Sequence, residues 1–256
     1  MRLLLTNDDG INSPGITALI EEFYSDYKIT VVAPDSERSG AGHSFTFNTP
    51  LRVRNFKFGG FEEAQGFAVN GTPVDCVKLG IGNLAEKPDI VVSGINLGAN
   101  LGTDVLYSGT VSAALEASLL GIPSLAVSIC SFEPVYWKTA SYAAKKALEL
   151  MMRNPLGEGI VLNINVPDLP LSEIKGTKLT HLSRQQYKLA YDERTDPYGR
   201  RYYWSPSDKL TTYKPEEDSD ERWTREEFIS ITPLTVNIAD YKCMQNMREF
   251  DYQINE

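Results

Sequence analysis

Basic charge, cysteine, histidine and long apolar runs are all in short supply, and each shortage removes a class of function. Lysine and arginine number 25 against 34 aspartates and glutamates, a formal net charge of −9 with a pI near 4.9. Coating a nucleic-acid backbone needs basic surface, so no nucleic-acid polymer is expected as a partner. A small phosphorylated ligand stays open, because one cation and a few main-chain dipoles can hold it. The three cysteines, Cys76, Cys130 and Cys243, lie far apart and form no CxxC pair. That suits free thiols in a reducing, cytoplasmic setting. The two histidines, His43 and His181, are equally separated, so a zinc site built from Cys and His is not expected. No apolar run approaches the roughly 20 residues that a membrane helix takes. Leu3 to Leu5 is too short for a secretory h-region, and no membrane partner is expected.

What is present is a repeated order of strand, polar loop and helix. The 256 residues, 42% of them hydrophobic, suit one large α/β domain or one with an appended subdomain. Leu3–Leu5 is an apolar run that ends abruptly in Thr6-Asn-Asp-Asp-Gly10. Ser13 then reads as an N-cap with Pro14 at the first helical position, and Ile16, Leu19, Ile20 and Phe23 follow at helical spacing. A second strand, Lys28–Val32, gives way to a polar loop over 36–44, where Gly40 and Gly42 let main-chain amides approach a ligand. Phe45–Phe47, Leu51–Phe56 and Phe67–Val69 alternate like short strands and read as a small excursion from the main sheet. Thr72 and Asp75 form a capping box around Pro73, with Val74, Val77 and Ile81 as the buried stripe and Cys76 packed rather than catalytic.

Pro88–Ser93 is a continuous apolar strand of the kind covered on both faces. It runs into Gly94–Gly102, a glycine-bearing loop without a dinucleotide or Walker pattern. A helix follows around Ser108-Gly-Thr110, with Val111, Ala114, Leu115, Ser118 and Leu119 on one face, and Gly121 and Pro123 end it. Strands Ser124–Ile129 and Ile160–Val166 flank an amphipathic helix over Tyr136–Met152. The fold class expected is α/β: a Rossmann-like, mostly parallel, doubly wound sheet. Beyond Asp168 the composition shifts. Charged and aromatic residues crowd Arg184–Trp223, and 196–204 reads as a hairpin arm with little local core, hence a subunit contact. Glu216–Glu221 reads as loop, Phe228–Leu234 as a strand and Asn237–Phe250 as a final helix. The expected division is a catalytic core over 1–167, with the β excursion at about 45–69, and a C-terminal hairpin arm, returning strand and helix over 168–256 that serve oligomerisation.

Three polar loops, 6–13, 34–44 and 94–108, follow three strands expected to be parallel. Ligands of such sheets bind beyond the carboxyl ends of the strands. If the strands are neighbours, one crevice gathers the carboxylates of Asp8 and Asp9, the Ser39 hydroxyl and the Asn96 side-chain oxygen. Adjacent carboxylates repel, and a cation lets both stay ionised. All four are hard oxygen donors, which points to Mg²⁺ or Mn²⁺, with Ca²⁺ as a further candidate. The helix start at Ser108, Gly109 and Thr110 offers hydroxyls, amides and a dipole to a phosphate. A hard cation beside a phosphate seat implies phosphoryl chemistry.

At this point the chain resembles the SurE family (stationary-phase survival protein E), metal-dependent nucleoside-monophosphate phosphatases. The matching pieces are Thr6-Asn-Asp-Asp-Gly-Ile-Asn-Ser-Pro-Gly15, Ala33-Pro-Asp-Ser-Glu-Arg-Ser-Gly40, Asn70-Gly-Thr-Pro-Val-Asp-Cys76, Ser93-Gly-Ile-Asn-Leu-Gly-Ala-Asn-Leu-Gly102, Tyr107-Ser-Gly-Thr110 and Ser230-Ile-Thr-Pro-Leu234. They run in family order across almost the whole chain, and Ser219-Asp220 stands where the family more often shows Thr-Asp. The resemblance implies one divalent cation per subunit held by Asp8, Asp9, Ser39 and Asn96. It implies 5′- and 3′-nucleotidase activity, some action on short polyphosphate, and homodimers or homotetramers that exchange the C-terminal hairpin and helix. The chemistry expected is hydrolysis by a metal-activated water, with Asp8 or Asp9 taking its proton and Gly40, Asn70, Ser108, Gly109 and Thr110 on the substrate side.

Two rivals make different demands. The haloacid-dehalogenase class uses a nucleophilic Asp and a second Asp two residues on, whereas Asp8 and Asp9 are adjacent. A nucleotide-sensing module would keep the cation as a clamp and turn nothing over.

Overall fold

The computed structural model describes residues 1–184, 191–205 and 214–249. Nine strands form one sheet. In chain order they are β1 (Arg2–Thr6), β2 (Lys28–Pro34), β3 (Val53–Lys57), β4 (Gln65–Val69), β5 (Ile90–Leu97), β6 (Ser124–Ile129), β7 (Ile160–Val166), β8 (Thr177–Leu179) and, after the two hairpin strands β9 (Asp192–Thr195) and β10 (Arg201–Trp204), β11 (Ile229–Thr235). Their spatial order is β3-β4-β2-β1-β5-β6-β7-β11-β8. The six strands from β4 to β7 are parallel, while β3 and β11 run antiparallel to their inner neighbours. The sheet is mostly parallel with helices on both faces, as the sequence pattern implies.

From β1 the chain winds outward through β2 on one side and, later, through β5, β6 and β7 on the other. The order therefore reverses between β1 and β5, and the crevice of a doubly wound sheet opens at that point. Side-chain alternation sorts the core. Leu3 and Leu5 face helices α1 (Pro14–Phe23) and α4 (Trp137–Arg153), whereas Leu4 and Val91 face α2 (Pro73–Leu79) and α3 (Gly109–Leu119).

Helix starts follow their local chemistry. Ser13 accepts the Ile16 N–H at 3.3 Å ahead of Pro14, and Thr72 and Asp75 form a reciprocal capping box. Gly15 is glycine for reasons of space. A Cβ there would fall 2.0 Å from the Ile95 carbonyl oxygen, so α1 can lie this close to β5 only without one.

Several expectations are corrected. Residues 45–47 form no strand, and β3 and β4 belong to the main sheet rather than to an excursion from it: β4 pairs in parallel with β2, and β3 closes the edge on β4. β11 returns to pair with β7, so the sheet crosses the expected boundary at 167. Leu119 is exposed while Val111, Ala113, Ala114 and Ala117 are buried, because α3 is covered by the sheet on one side and α2 on another. Glu216–Glu221 is not all loop: Ser219 accepts the Arg222 N–H at 3.3 Å and starts α5 (Asp220–Arg225). The last helix, α6 (Tyr241–Asn246), starts only after its Asp240 cap and ends in a 3₁₀ turn over Met247–Glu249. Residues 185–190, 206–213 and 250–256, which include part of the expected arm, lie outside the described residues. No helix among the described residues is long and apolar enough to cross a membrane.

Candidate active site

The loop after β1 is set by Asn7. Its amide nitrogen donates to the Ser13 hydroxyl at 2.6 Å and the Gly10 carbonyl at 3.1 Å, and its oxygen accepts the Gly10 N–H at 3.2 Å. This small network turns the next two side chains into the crevice. Asp8 is buried, and its Oδ1 accepts the Thr110 hydroxyl. The first-turn amides of Gly109 and Thr110 also donate to Asp8. The anion at the N-terminus of α3 is thus Asp8 itself, where the dipole favours negative charge. Burial raises the Asp8 carboxyl above its ordinary value, and these hydrogen bonds oppose the rise.

Asp9 Oδ2 accepts the Leu97 N–H at 3.2 Å, which joins the β1 loop to the end of β5. Burial first, then the neighbouring charge of Asp8, pushes its carboxyl up to about 7. Asn96 donates its amide nitrogen to the Leu97 and Gly98 carbonyls at 3.1 and 2.8 Å, and its side-chain oxygen is left as the free acceptor. The 35–44 loop is brought in by the Arg38 N–H, which donates to the Asp8 carbonyl at 2.7 Å. Ser39 follows at once. Its hydroxyl proton is directed to Glu37 at 2.7 Å, so the oxygen lone pairs remain for a cation.

The structure therefore brings the loops of Asp8, Asp9, Ser39 and Asn96 to one crevice at the switch point. The substrate-side residues divide. Gly40 has φ +73° and open space around it. Ser108 caps α3 through the Val111 N–H at 3.1 Å. Gly109 is pressed against Asp8: a Cβ there would lie 2.8 Å from Asp8 Cβ and 2.9 Å from Oδ2. Asn70 stands apart, since its side-chain oxygen accepts the Arg52 N–H at 2.7 Å and its carbonyl accepts the Arg38 guanidinium at 3.3 Å. Its link to the crevice runs through Arg38.

Other candidates fall away. Burial pushes the Cys130 thiol up to about 12 and raises the Cys76 thiol well above its ordinary value, so neither is a thiolate at neutral pH. His43 pairs with Glu116 of α3 at 2.9 Å. Among the described residues, no group of three or more His, Cys, Asp and Glu side chains gathers for a metal. The donor set in the crevice is instead two carboxylates with neutral oxygens, and it fits a hard divalent cation. A buried carboxyl beside a half-buried one also calls for positive charge.

Sequence reasoning missed Asp220. It is fully buried, and its two oxygens accept the Gly102 N–H at 2.8 Å and the Ser183 N–H at 2.9 Å, which anchors the far end of the glycine-bearing loop. The signal was Ser219-Asp220 as a cap-and-first-turn pair.

Fold and site together define a doubly wound α/β protein with an oxygen-donor site at its topological switch point. The family model described as Survival protein SurE matches residues 3–189. The chain belongs to the SurE family. It is 45% identical over 251 residues to the 5′-nucleotidase SurE of Heliobacterium modesticaldum, covering 98% of this chain and 92% of that one. With the 5′-nucleotidase SurE of Carboxydothermus hydrogenoformans it shares 44% over 254 residues, 97% and 95% of the two chains. The crystal structure of SurE protein from Aquifex aeolicus superposes with a TM-score of 0.84 at 38% identity, covering 96% of this chain and 98% of that one.

Proposed function

We propose that the chain is a 5′-nucleotidase, a metal-dependent phosphomonoesterase that hydrolyses nucleoside 5′- and 3′-monophosphates to nucleoside and phosphate, with short polyphosphate as a further substrate. The observation that carries the reading is the Asp8–Asp9 pair, held by Thr110 on one side and Leu97 on the other at the switch point. The relatives named 5′-nucleotidase SurE support the substrate class.

Asp8, Asp9, Ser39 and Asn96 would hold one Mg²⁺ or Mn²⁺. When bound, such a cation neutralises phosphoryl charge and lowers the pKa of a water. The chain's own residues do the rest. Thr110 and the α3 amides keep Asp8 in one orientation. Asp9 has one oxygen on Leu97 and the other free of protein donors, so it is the better placed of the two to accept the water's proton. Main-chain amides near Gly40, open to the crevice mouth, meet the remaining phosphate oxygens. Gly109 and Thr110 act on the phosphate through Asp8, Ser108 acts by capping the helix start that carries them, and Asn70 acts through Arg38.

Assembly through the C-terminal elements belongs to the same reading. The β9–β10 hairpin exposes Tyr202, Tyr203 and Trp204, and Ile238, Tyr241 and Met244 are exposed around α6. Homodimers or homotetramers would cover them. A cytoplasmic location suits the three free cysteines.

The test is phosphate release from AMP and GMP by purified protein with Mg²⁺, with Mn²⁺ and with chelator, beside Asp8→Asn. Metal-dependent release that disappears in the variant is the expected outcome. A stable aspartyl-phosphate recovered by acid quench would replace the water mechanism with a covalent one. Tight nucleotide binding without turnover under any metal would make the protein a sensor.

A further inference from the structure

We propose that Phe132 is the stacking platform for the nucleobase, an assignment that rests on the nucleotidase reading above. The ring is 84% exposed. An aromatic ring this exposed is normal on a mobile loop, but this loop is tied down on every side. Cys130 donates its N–H to the Val166 carbonyl at 2.8 Å, and Ser131 accepts the Gly98 N–H at 2.9 Å. Farther on, the N–H groups of Val135 and Tyr136 donate to Asp168 at 3.1 and 2.8 Å. The ring is therefore presented, not free.

Its seat is the site's own backbone. A Cβ on Gly98 would come within 2.6 Å of Phe132 Cε1 and 2.9 Å of Cζ, so the ring edge rests where a side chain at 98 would stand. Gly98 also takes φ +88°, which glycine adopts without strain. The Gly98 carbonyl holds the Asn96 amide at 2.8 Å. Phe132 is thus one residue contact away from a proposed cation ligand, in the loop after β6, the strand next to β5, and at the same carboxyl end of the sheet.

A nucleoside monophosphate whose phosphate sits over Asp8, Asp9 and Asn96 must lay its sugar and base across the rim of the crevice. A pre-positioned ring stacks any base, because every base has a π-face. The platform thus gives preference for nucleotides over other phosphate esters with little choice among bases. Ordering costs stay low because the loop is already anchored.

The experiment compares kcat/KM for AMP, GMP and CMP with that for ribose 5-phosphate, which carries the same sugar phosphate without a base. Wild type, Phe132→Ala, Phe132→Trp and Tyr107→Ala are measured with the same divalent metal. Phe132→Ala should lose roughly tenfold on all three nucleotides, chiefly in KM, and nothing on ribose 5-phosphate. Phe132→Trp should keep the nucleotide preference. An unchanged nucleotide-to-ribose 5-phosphate ratio in Phe132→Ala overturns the assignment, as does a selective loss in Tyr107→Ala alone. Wild-type protein that releases phosphate from none of the four esters would instead defeat the nucleotidase reading itself.

Discussion

The hydroxyl of Thr110 donates to Oδ1 of Asp8, a bond between residues 102 positions apart in the chain. It ties the start of α3 to the loop after β1 and decides which way the Asp8 carboxylate faces. Thr110→Val keeps the shape and removes the donor. A hydrogen bond to a charged group is worth about 1.5–3 kcal/mol, so kcat should fall roughly ten- to a hundredfold. Thr110→Ser, which retains the hydroxyl, should recover most of it. Steady-state phosphate release at saturating metal checks both variants.

Gly109 makes the reverse argument, from space. In most helices Gly→Ala stabilises by about 0.5–1 kcal/mol. Here the new Cβ would sit 2.8 Å from Asp8 Cβ and 3.1 Å from Pro73 Cγ. Both neighbours are held, one by Thr110 and the other at the start of α2. Gly109→Ala should therefore lower the melting temperature rather than raise it. Activity should drop at least tenfold, because Asp8 is the side chain that must move. A variant that melts higher with full activity would show that the α3 start is looser than this geometry.

The contrast between these residues and Asp220 shows what was legible in the chain. That Asp8, Asp9 and Asn96 lie at one edge of the sheet could be read because each stands at the end of an apolar strand, and the loops of a parallel sheet share that edge. The Ser13 and Thr72 caps could be read because capping is local. That α3 would give its N-terminus to Asp8 could not, since a hydroxyl and two amides suit a phosphate as well as a carboxylate. Asp220 was hidden for another reason. Its partners, Gly102 and Ser183, are 118 and 37 residues away, and the Ser219 cap signal places Asp220 in a first helical turn without showing that its carboxylate folds inward.

Asp220 holds two separate segments with its two oxygens, and Glu221 donates its N–H to Oδ1 as well, at 2.8 Å. Burial raises its carboxyl above the ordinary value, opposed by those three N–H groups. Asp220→Asn replaces one acceptor by an NH₂ that faces an N–H donor. One buried donor is then left unsatisfied, at a cost of about 1–3 kcal/mol. The expected result is a lower urea midpoint. Limited proteolysis should also show earlier cleavage near the 3₁₀ turn Gly102–Leu106, which the bond anchors. Unchanged proteolysis there would mean that the loop is held by other contacts.

His181 gives a pH dependence whose sign can be worked out. Its two ring nitrogens lie 3.1 Å from the Leu182 carbonyl and 2.9 Å from the Glu217 carbonyl. Both partners are acceptors, and only the imidazolium has two N–H groups to offer. These carbonyl contacts raise the His181 pKa above 6.5. A raised value in the fold means that the folded state binds the proton more tightly than the unfolded chain. The stabilisation is fully present below about pH 6.5 and is lost as the pH rises through the raised value. The ring is exposed, so solvent screens part of the effect. Other groups titrate over the same range, and comparison with His181→Gln removes them if they act independently. The difference in urea midpoint between wild type and His181→Gln should favour wild type at pH 6 and shrink by pH 8. The loss should be felt first around Asp218 to Asp220, because His181 and Ser219 form a bridge directly before α5. A gap between the two proteins that stays constant from pH 6 to 8 would mean that His181 is neutral throughout and makes only one of the two bonds.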